Sequence, residues 1–335
     1  MKKKKILLIP KSNSFEDVAQ MYFLEKELVY FGHKVESLSG PIFDFNMINI
    51  LNEYNFDVIF RVNAGKPNEF KKKNTRFVSW VKNLSVIKSF LNNYNQNDII
   101  YTIEKEKKKI KNLNIRNLHP AASFSKNHIS NLDKNNNSNL NYLQNIDISH
   151  IGNESLFDIY DGQQKIKQEK ALEIFHQLNA ITNFLANFSL SFKTSFFGLI
   201  GPSDKYLKNT KFEFHGPIKN YNFFFEIFKR SKINLINENH DFDFNTKIFN
   251  ILSTQGLIMF DKVRQKKLIK KMNDLGFFDT ESLICYDEKK ESEKIFHEFL
   301  SDNQKRLTIG KKAQKIIGSF HTYKNRAKQI LDDLM

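Results

Sequence analysis

Three glycines that follow predicted strands are candidate ligand-binding residues. Gly152, Gly201 and Gly216 each come after a short segment that the sequence predicts to be a strand. A glycine has no Cβ, so its backbone can come close to a phosphate group. The alternative is an ordinary turn, the usual role of Gly-Pro pairs such as those that begin at Gly201 and Gly216. For Gly152, approach to a phosphate and an ordinary turn are equally open. Gly201 and Gly216 could border a ligand pocket, but a turn is the favoured role for both.

The amino-acid composition excludes several classes of protein. Cys285 is the only cysteine among 335 residues, which excludes a disulfide scaffold and a cysteine-rich metal site. No apolar run approaches the roughly 18 residues of a membrane span, and the run after the first lysines is too short for a signal peptide. We therefore expect a cytoplasmic protein without a membrane span, although contact with a membrane surface stays open.

The chain is basic, and its charge is uneven. Lys and Arg total 52 against 37 Asp and Glu, a net charge of +15. Residues 1–145 hold 23 basic and 13 acidic residues, so they supply +10 of that total. An excess of this kind can attract an anionic partner. Drift of the whole composition towards Lys, Asn, Ile and Phe is the alternative explanation.

The elements that must position these residues follow an α/β pattern. A buried strand at Ile6–Ile9, a helix near residues 15–31 and a strand at Val35–Leu38 open the chain as a βαβ unit. Residues 131–141 contain six Asn in eleven and indicate a linker, so we place a domain boundary near residue 145. The sequence predicts an N-terminal domain over 1–145 and a second α/β domain over 146–335.

The second domain is predicted to begin with a strand at Ile146–Ile151, continue with a helix near residues 163–188 and end with a helix near residues 323–334. Phe184, Phe188, Phe192 and Phe196 recur every four residues and favour a buried helix face over a membrane-facing one. Two parallel α/β domains leave a cleft, and ligands of such sheets bind beyond the carboxyl ends of the strands. The pattern predicts binding of a small anion and specifies no reaction.

A series of motifs in the second half resembles a known family. The motifs are, in order, His215-Gly216-Pro217-Ile218, Tyr221-Asn222, Ser231-Lys232-Ile233-Asn234-Leu235, the run from Asn245 to Gly256, and His321-Thr322-Tyr323-Lys324-Asn325-Arg326. Together they resemble the CgeB-like (spore maturation protein) glycosyltransferases, whose carboxyl half is a group 1-type transferase domain. The resemblance covers residues 146–330 well. It is weaker over residues 1–145, where Gly32-His33-Lys34-Val35, Trp80 and Leu118-His119-Pro120 are similar to family landmarks.

The resemblance implies a GT-B-like fold of two facing Rossmann-like domains, with the acceptor on the first and the nucleotide sugar on the second. It also implies that the last helix crosses back to the first domain. The family's diphosphate contact falls at Lys247, whose alternative role is that of an exposed lysine at a helix start. The family holds the ribose with a carboxylate where this chain has Asn250, a neutral and therefore weaker partner. Gly152, Gly201 and Gly216 complete the expected donor site.

The first domain is expected to supply the general base. The family carries acidic residues shortly after its Trp landmark, but this chain has Asn83 there, which leaves His119 as the candidate. Asp241 and Asp243 form an Asp-x-Asp pair, which holds a metal in the other major transferase fold. Their position before a predicted helix suits its dipole instead, so we expect no metal and no cofactor beyond the nucleotide sugar.

The sequence therefore predicts a metal-independent glycosyltransferase with an unknown, possibly anionic acceptor. Asn83 and Asn250 keep open a non-catalytic relative that binds a sugar nucleotide or a glycan. The basic first part keeps open a nucleic-acid acceptor, which we consider unlikely because no recognised nucleic-acid motif is present.

Overall fold

The chain forms two compact units in a computed structural model. The structure describes residues 2–10, 15–40, 45–62, 74–81, 84–103, 110, 113–122, 144–152, 164–198, 203–216, 218, 221–236, 246–277, 282–287 and 291–335. The first unit comprises Met1–Ala121 and Tyr323–Met335, and the second comprises Ala122–Thr322.

Twelve strands and ten α-helices are described along the chain, with one 3-10 helix at Leu84–Asn93. The strands are β1 (Lys5–Ile9), β2 (Lys34–Ser37), β3 (Val58–Val62), β4 (Arg76–Val81), β5 (Ile99–Thr102), β6 (Asn114–Asn117), β7 (Ile146–Ile151), β8 (Thr194–Phe197), β9 (Phe212–Phe214), β10 (Ser231–Leu235), β11 (Ile258–Asp261) and β12 (Ile284–Tyr286). The helices are Phe15–Tyr30, Phe45–Glu53, Gln164–Ala186, Asp204–Leu207, Tyr221–Arg230, Thr246–Ser253, Lys266–Asp274, Ser292–Ser301, Asn303–Phe320 and Tyr323–Asp333.

The first unit is a six-stranded parallel sheet in the order β2-β1-β3-β4-β5-β6. Its inner strands are apolar on both faces, as expected for strands covered by helices on each side. Among its described residues, two apolar clusters form the core, one of which includes Tyr323, Ala327 and Ile330 from the last helix. The last helix is therefore an integral part of the first unit.

Strand β6 was not expected from the sequence, because Asn-Ile-Arg-Asn carries little apolar signal. Side-chain hydrogen bonds hold it in place at the edge of the sheet. Asn117 donates through Nδ2 to the Thr102 and Ile103 carbonyls at 3.1 and 3.0 Å, and Arg116 pairs with Asp333 of the last helix. These contacts join residues far apart in the sequence, so local propensity could not reveal the strand.

The second unit is another six-stranded parallel sheet, in the order β12-β11-β10-β7-β8-β9. Strand β7 has the limits predicted from the sequence, and the long helix at Gln164–Ala186 lies within two residues of its predicted range. Helices connect the parallel strands, so each helix that follows a strand begins near the carboxyl edge of the sheet.

The phenylalanine repeat is buried as predicted, but it is not a helix face. Phe188, Phe192 and Phe196 are each at most 7% exposed, and Phe184 packs edge-on against Phe188 with ring centroids 4.8 Å apart. Only Phe184 lies in a helix; the helix ends at Ala186, and Phe196 is in β8. The four-residue spacing arose from a helix end, a loop and a strand that pack against one core.

The division between the units falls at Ala121 and Ala122, whereas the sequence placed a domain boundary near residue 145. Residues 123–143, including the Asn-rich stretch predicted to be a linker, lie outside the described residues. The linker at residues 131–141 and the boundary near residue 145 remain predictions.

Candidate functional site

Lys247 lies at the carboxyl edge of the second sheet. It is the second residue of the Thr246–Ser253 helix, all of which is buried, and its side chain is 8% exposed. Its Nζ donates a hydrogen bond to the carbonyl of Ile151, the last residue of β7, at 2.9 Å. The alternative of an exposed surface lysine is therefore wrong. The fold brings a buried ammonium to the edge where parallel sheets bind ligands.

His150 adjoins this lysine and was not anticipated. Its Nδ1 lies 3.2 Å from the Leu235 carbonyl at the end of β10, and its ring meets Phe196 edge-on at 5.9 Å. Burial, and after it the nearby Lys247 ammonium, lowers the pKa of His150 to about 4, against a smaller opposing effect of the hydrogen bond to the Leu235 carbonyl. The imidazole is therefore neutral near pH 7. Because a carbonyl only accepts, Nδ1 carries the proton and donates it to Leu235.

Glycines continue three adjacent strands at this edge. The Gly152 N–H donates to the Phe197 carbonyl at 2.8 Å, and the Gly198 N–H donates to the Gly216 carbonyl at 2.9 Å. Gly152, Gly198 and Gly216 thus follow the ends of three successive strands, β7, β8 and β9, and β8 separates Gly152 from Gly216. The Gly152 N–H is already engaged, so this residue offers room for a ligand rather than a donor. A Cβ there would lie 3.5 Å from the Phe197 oxygen, an ordinary contact.

The backbone conformation at Gly216 favours glycine. Its φ is +71°, in the left-handed region, and a Cβ built on it would meet nothing within 4 Å. Conformation rather than crowding selects glycine here, as in a turn. Gly201, the remaining glycine of the predicted donor site, lies outside the described residues.

Asn250 follows Lys247 by three residues on the same helix, a spacing that places both side chains on one face. It is 4% exposed, and its backbone carbonyl accepts a hydrogen bond from Ser253 Oγ at 2.7 Å. Just after the helix, a Cβ at Gly256 would lie 2.7 Å from Ile251 Cγ2 and 3.1 Å from Asn234 Nδ2. Glycine at this position therefore lets the end of the helix lie close to β10.

His119 belongs to the first unit, near the carboxyl end of β6. Arg326 in the last helix fixes this segment: its Nε donates to the His119 carbonyl at 2.6 Å and its Nη2 to the Pro120 carbonyl at 3.0 Å. Trp80 Nε1 donates to the preceding Leu118 carbonyl at 3.0 Å. The histidine backbone is thus held firmly, and its side chain is half-buried.

Several sequence-predicted residues cannot be placed. Asn83, Asp241 and Asp243 lie outside the described residues. Within the described part of the chain, no group of three or more His, Cys, Asp or Glu side chains is arranged to hold a metal ion. In the same part, no helix is both long and apolar enough to cross a membrane.

Comparison with known proteins identifies the fold. Residues 179–332 match the family model described as "Glycosyl transferase-like", a match that includes Gly216, Lys247 and Asn250. The match begins after Gly152 and His119. No curated protein sequence matches the chain significantly.

Solved structures match over the whole chain. HepE of Anabaena in complex with UDP-glucose is 13% identical with a TM-score of 0.57, and 99% of each chain is covered. An alpha-glucosyltransferase in complex with UDP is 11% identical with a TM-score of 0.64, covering 99% of this chain and 100% of that one. The glycosyltransferase SnogD from Streptomyces nogalater is 8% identical with a TM-score of 0.54 and full coverage of both chains.

These structures confirm the predicted fold class: two parallel six-stranded α/β sheets, as in GT-B glycosyltransferases. At these identities the structures establish the fold alone. Together with the family match they support a glycosyltransferase, whereas nothing in the comparisons singles out the CgeB-like family.

Two residues of the site were missed at the sequence level. Gly198 directly follows the apolar run of β8, the same signal that drew attention to Gly152. His150 has no such signal, because its significance depends on Leu235, which lies 85 residues further along the chain.

Proposed function

We propose that this protein transfers a sugar from a nucleotide-sugar donor, with a uridine diphosphate sugar as the first donor to test, to an acceptor that is still to be identified. One observation carries the proposal: the buried Lys247 ammonium lies at the carboxyl edge of β7, beside Gly152 and inside the residues that match the family model. The UDP and UDP-glucose bound to proteins of the same fold suggest the donor class.

Sugar transfer makes a specific electrostatic demand. An acceptor hydroxyl oxygen bonds to the anomeric carbon, the bond from that carbon to the diphosphate breaks, and the nucleoside diphosphate leaves with its electron pair. Negative charge grows on the leaving diphosphate, so a preorganised cation there stabilises the transition state. Lys247 is the proposed cation. Low local polarity strengthens its interaction with a phosphate relative to the same contact in water.

His119 is the proposed general base that takes the proton from the acceptor hydroxyl. Arg326 holds the His119 and Pro120 carbonyls, which fixes the backbone from which the imidazole projects. The proposed scheme assigns no step to a metal ion, so transfer should continue unchanged in the presence of a chelator such as EDTA.

Binding of a nucleotide sugar without transfer is the second candidate. Asn250 favours binding without transfer. Its buried, neutral amide occupies the position at which the CgeB-like family has a ribose-binding carboxylate. Hydrolysis of the donor, or transfer to any acceptor, separates the two candidates.

The decisive experiment combines a ligand screen with one substitution. Thermal-shift screening against nucleoside diphosphates and their sugars finds the ligand, since 100 times the dissociation constant stabilises the fold by about 2.7 kcal/mol. Asn250→Glu then supplies an ionised acceptor for ribose hydroxyls and should tighten binding by about 1 kcal/mol, several-fold in Kd. Gln304→Glu, at an exposed position of the same unit, adds the same charge and should leave binding unchanged.

A loss of binding in Asn250→Glu with the fold intact would contradict the ribose role. It would mean that the pocket is built around a neutral side chain. Absence of binding by the unaltered protein to every nucleotide in the screen would sink the proposed function itself.

A further inference from the structure

A short surface segment of the second unit is strongly cationic. Six of the ten residues from 262 to 271 are Lys or Arg, and none is acidic. The segment, which we call the cationic segment, comprises the turn after β11 and the first two turns of the Lys266–Asp274 helix. Lys262, Lys266, Lys267 and Lys270 are exposed, whereas Leu268 and Met272 are buried in the unit.

Four hydrogen bonds, two of them buried, fasten the cationic segment to the carboxyl edge of the sheet. Asp261, at the end of β11, accepts from the Val263 and Arg264 N–H groups at 2.8 and 2.9 Å. Gln265, which is 2% exposed, donates through Nε2 to the Ile236 carbonyl at 2.7 Å and accepts from the Asp261 N–H at 2.8 Å.

The same edge holds the proposed donor site. Ile236 directly follows β10, and β10 neighbours β7, whose last residue contacts Lys247. The cationic segment is therefore a rigid surface beside the proposed donor site, on the same unit.

Charges at the start of this helix oppose its stability. Lys266 and Lys267 occupy the first turn, where the helix dipole disfavours cations. Lys270 stands four residues beyond Lys266, so this pair places like charges side by side. Gln265 makes no side-chain cap, because both ends of its amide serve the sheet edge. Burial of Leu268 and Met272 holds the helix, and an anionic partner would relieve the repulsion.

We propose that the cationic segment binds the phosphodiester backbone of a nucleic acid, placing the polymer alongside the proposed donor site. Lysines spaced along one exposed helix face suit a ligand with regularly repeated phosphates. A bilayer is less well matched, because the apolar side of this helix is packed into the protein and leaves no row of apolar side chains to insert. Binding of a nucleic acid to the segment does not depend on the proposed function. Only a role of the nucleic acid as the sugar acceptor rests on that function.

The test compares two triple variants of equal charge change. Lys262→Gln, Lys266→Gln and Lys270→Gln together remove three exposed cations of the segment. Lys294→Gln, Lys311→Gln and Lys315→Gln remove three exposed lysines from the Ser292–Ser301 and Asn303–Phe320 helices of the same unit. Binding of a fluorescein-labelled DNA duplex of about 20 base pairs is followed by anisotropy between 50 and 300 mM NaCl, and UDP binding is titrated on all three proteins.

We expect the segment variant to bind the duplex at least tenfold more weakly at 100 mM salt. Its plot of log K against log salt should be shallower by up to about 2.7, which is 0.9 for each lost phosphate contact. The control variant should keep most of the affinity and slope. UDP affinity should be the same in all three proteins, so a failure of donor binding is seen independently of duplex binding.

Equal losses in both triple variants would overturn the proposal, because they would show that net charge alone drives binding. No binding of the duplex by the unaltered protein would overturn it as well. A third experiment measures sedimentation with vesicles of 70% phosphatidylcholine and 30% phosphatidylglycerol. If the segment variant loses vesicle binding but keeps duplex binding, the partner is a membrane and the proposal is overturned.

Discussion

Replacement of Lys247 by Met tests the centre of the proposed donor site. Met keeps most of the length and apolar stem of the side chain while it removes the ammonium. In the present structure Nζ donates to the Ile151 carbonyl at 2.9 Å, and the side chain is 8% exposed. The substitution therefore removes both a proposed diphosphate contact and a structural hydrogen bond, and the two losses can be measured separately.

The expected binding loss follows from the chemistry of the contact. A hydrogen bond to a charged group contributes about 1.5–3 kcal/mol, so UDP should bind about 10- to 150-fold more weakly to Lys247→Met. The free energy of unfolding should fall by about 1–3 kcal/mol, because the buried Ile151 carbonyl loses a donor. Isothermal titration with UDP gives the first quantity, and urea denaturation gives the second.

Lys232→Met is the matched control. Lys232 is in β10 of the same sheet, but at its amino end, where Nζ contacts Asp147 Oδ1 at 2.6 Å with both side chains 28% exposed. Such partly exposed pairs contribute about 0–1 kcal/mol, and UDP affinity should not change. If Lys247→Met binds UDP as tightly as the unaltered protein, or if both variants weaken binding equally, the assignment of the diphosphate to Lys247 is refuted.

Three further predictions concern buried groups. His150 has a pKa of about 4 when folded and about 6.5 when unfolded, so its contribution to stability is complete above pH 6.5 and is lost as the pH falls towards 4. Denaturation of the unaltered protein and of His150→Gln at both pH values should show a difference that changes by about 3 kcal/mol; a constant difference would mean that His150 is not desolvated. Gly310→Ala would bring a Cβ to 2.2 Å from the Gln255 backbone oxygen and should lower the free energy of unfolding, measured in urea, by about 1–3 kcal/mol. A gain in stability would show that the Asn303–Phe320 helix does not touch the turn at Gln255. Arg326→Met removes the donors to two buried carbonyls near His119 and should cost about 2 kcal/mol or more; in a transfer assay it should lower kcat with the Kd for UDP unchanged.

The sequence was informative for strand β7. Its limits at Ile146–Ile151 were predicted correctly, because the segment has the pattern of a strand and ends at Gly152. Strand β6 is a polar edge strand, so its identity rests on contacts with the last helix rather than on its own residues. Likewise, the spacing of Phe188 and Phe192 suggested a helix, although a shared core, not a helical repeat, buries them.

The candidate site could be predicted only in part, because it also depends on contacts between residues far apart in the sequence. Lys247 entered through the resemblance of a motif, and its burial could not be foreseen because it depends on the end of β7, 96 residues earlier. His150 carries no local signal at all. The net charge suggested an anionic partner but pointed to residues 1–145, whereas the cationic segment lies in the second unit and became significant only through Gln265 and the sheet edge it contacts.

Lys247 and the cationic segment differ in burial, so binding at each should respond differently to salt. Lys247 is withdrawn from solvent, so ions screen its interaction with a bound phosphate only weakly. Lys266 and Lys270 are exposed, and their attraction to a polyanion should fall steeply between 50 and 300 mM salt. A donor contact that persists at high salt, together with a polymer contact that does not, is the behaviour expected if the two features bind different ligands at one edge of the sheet.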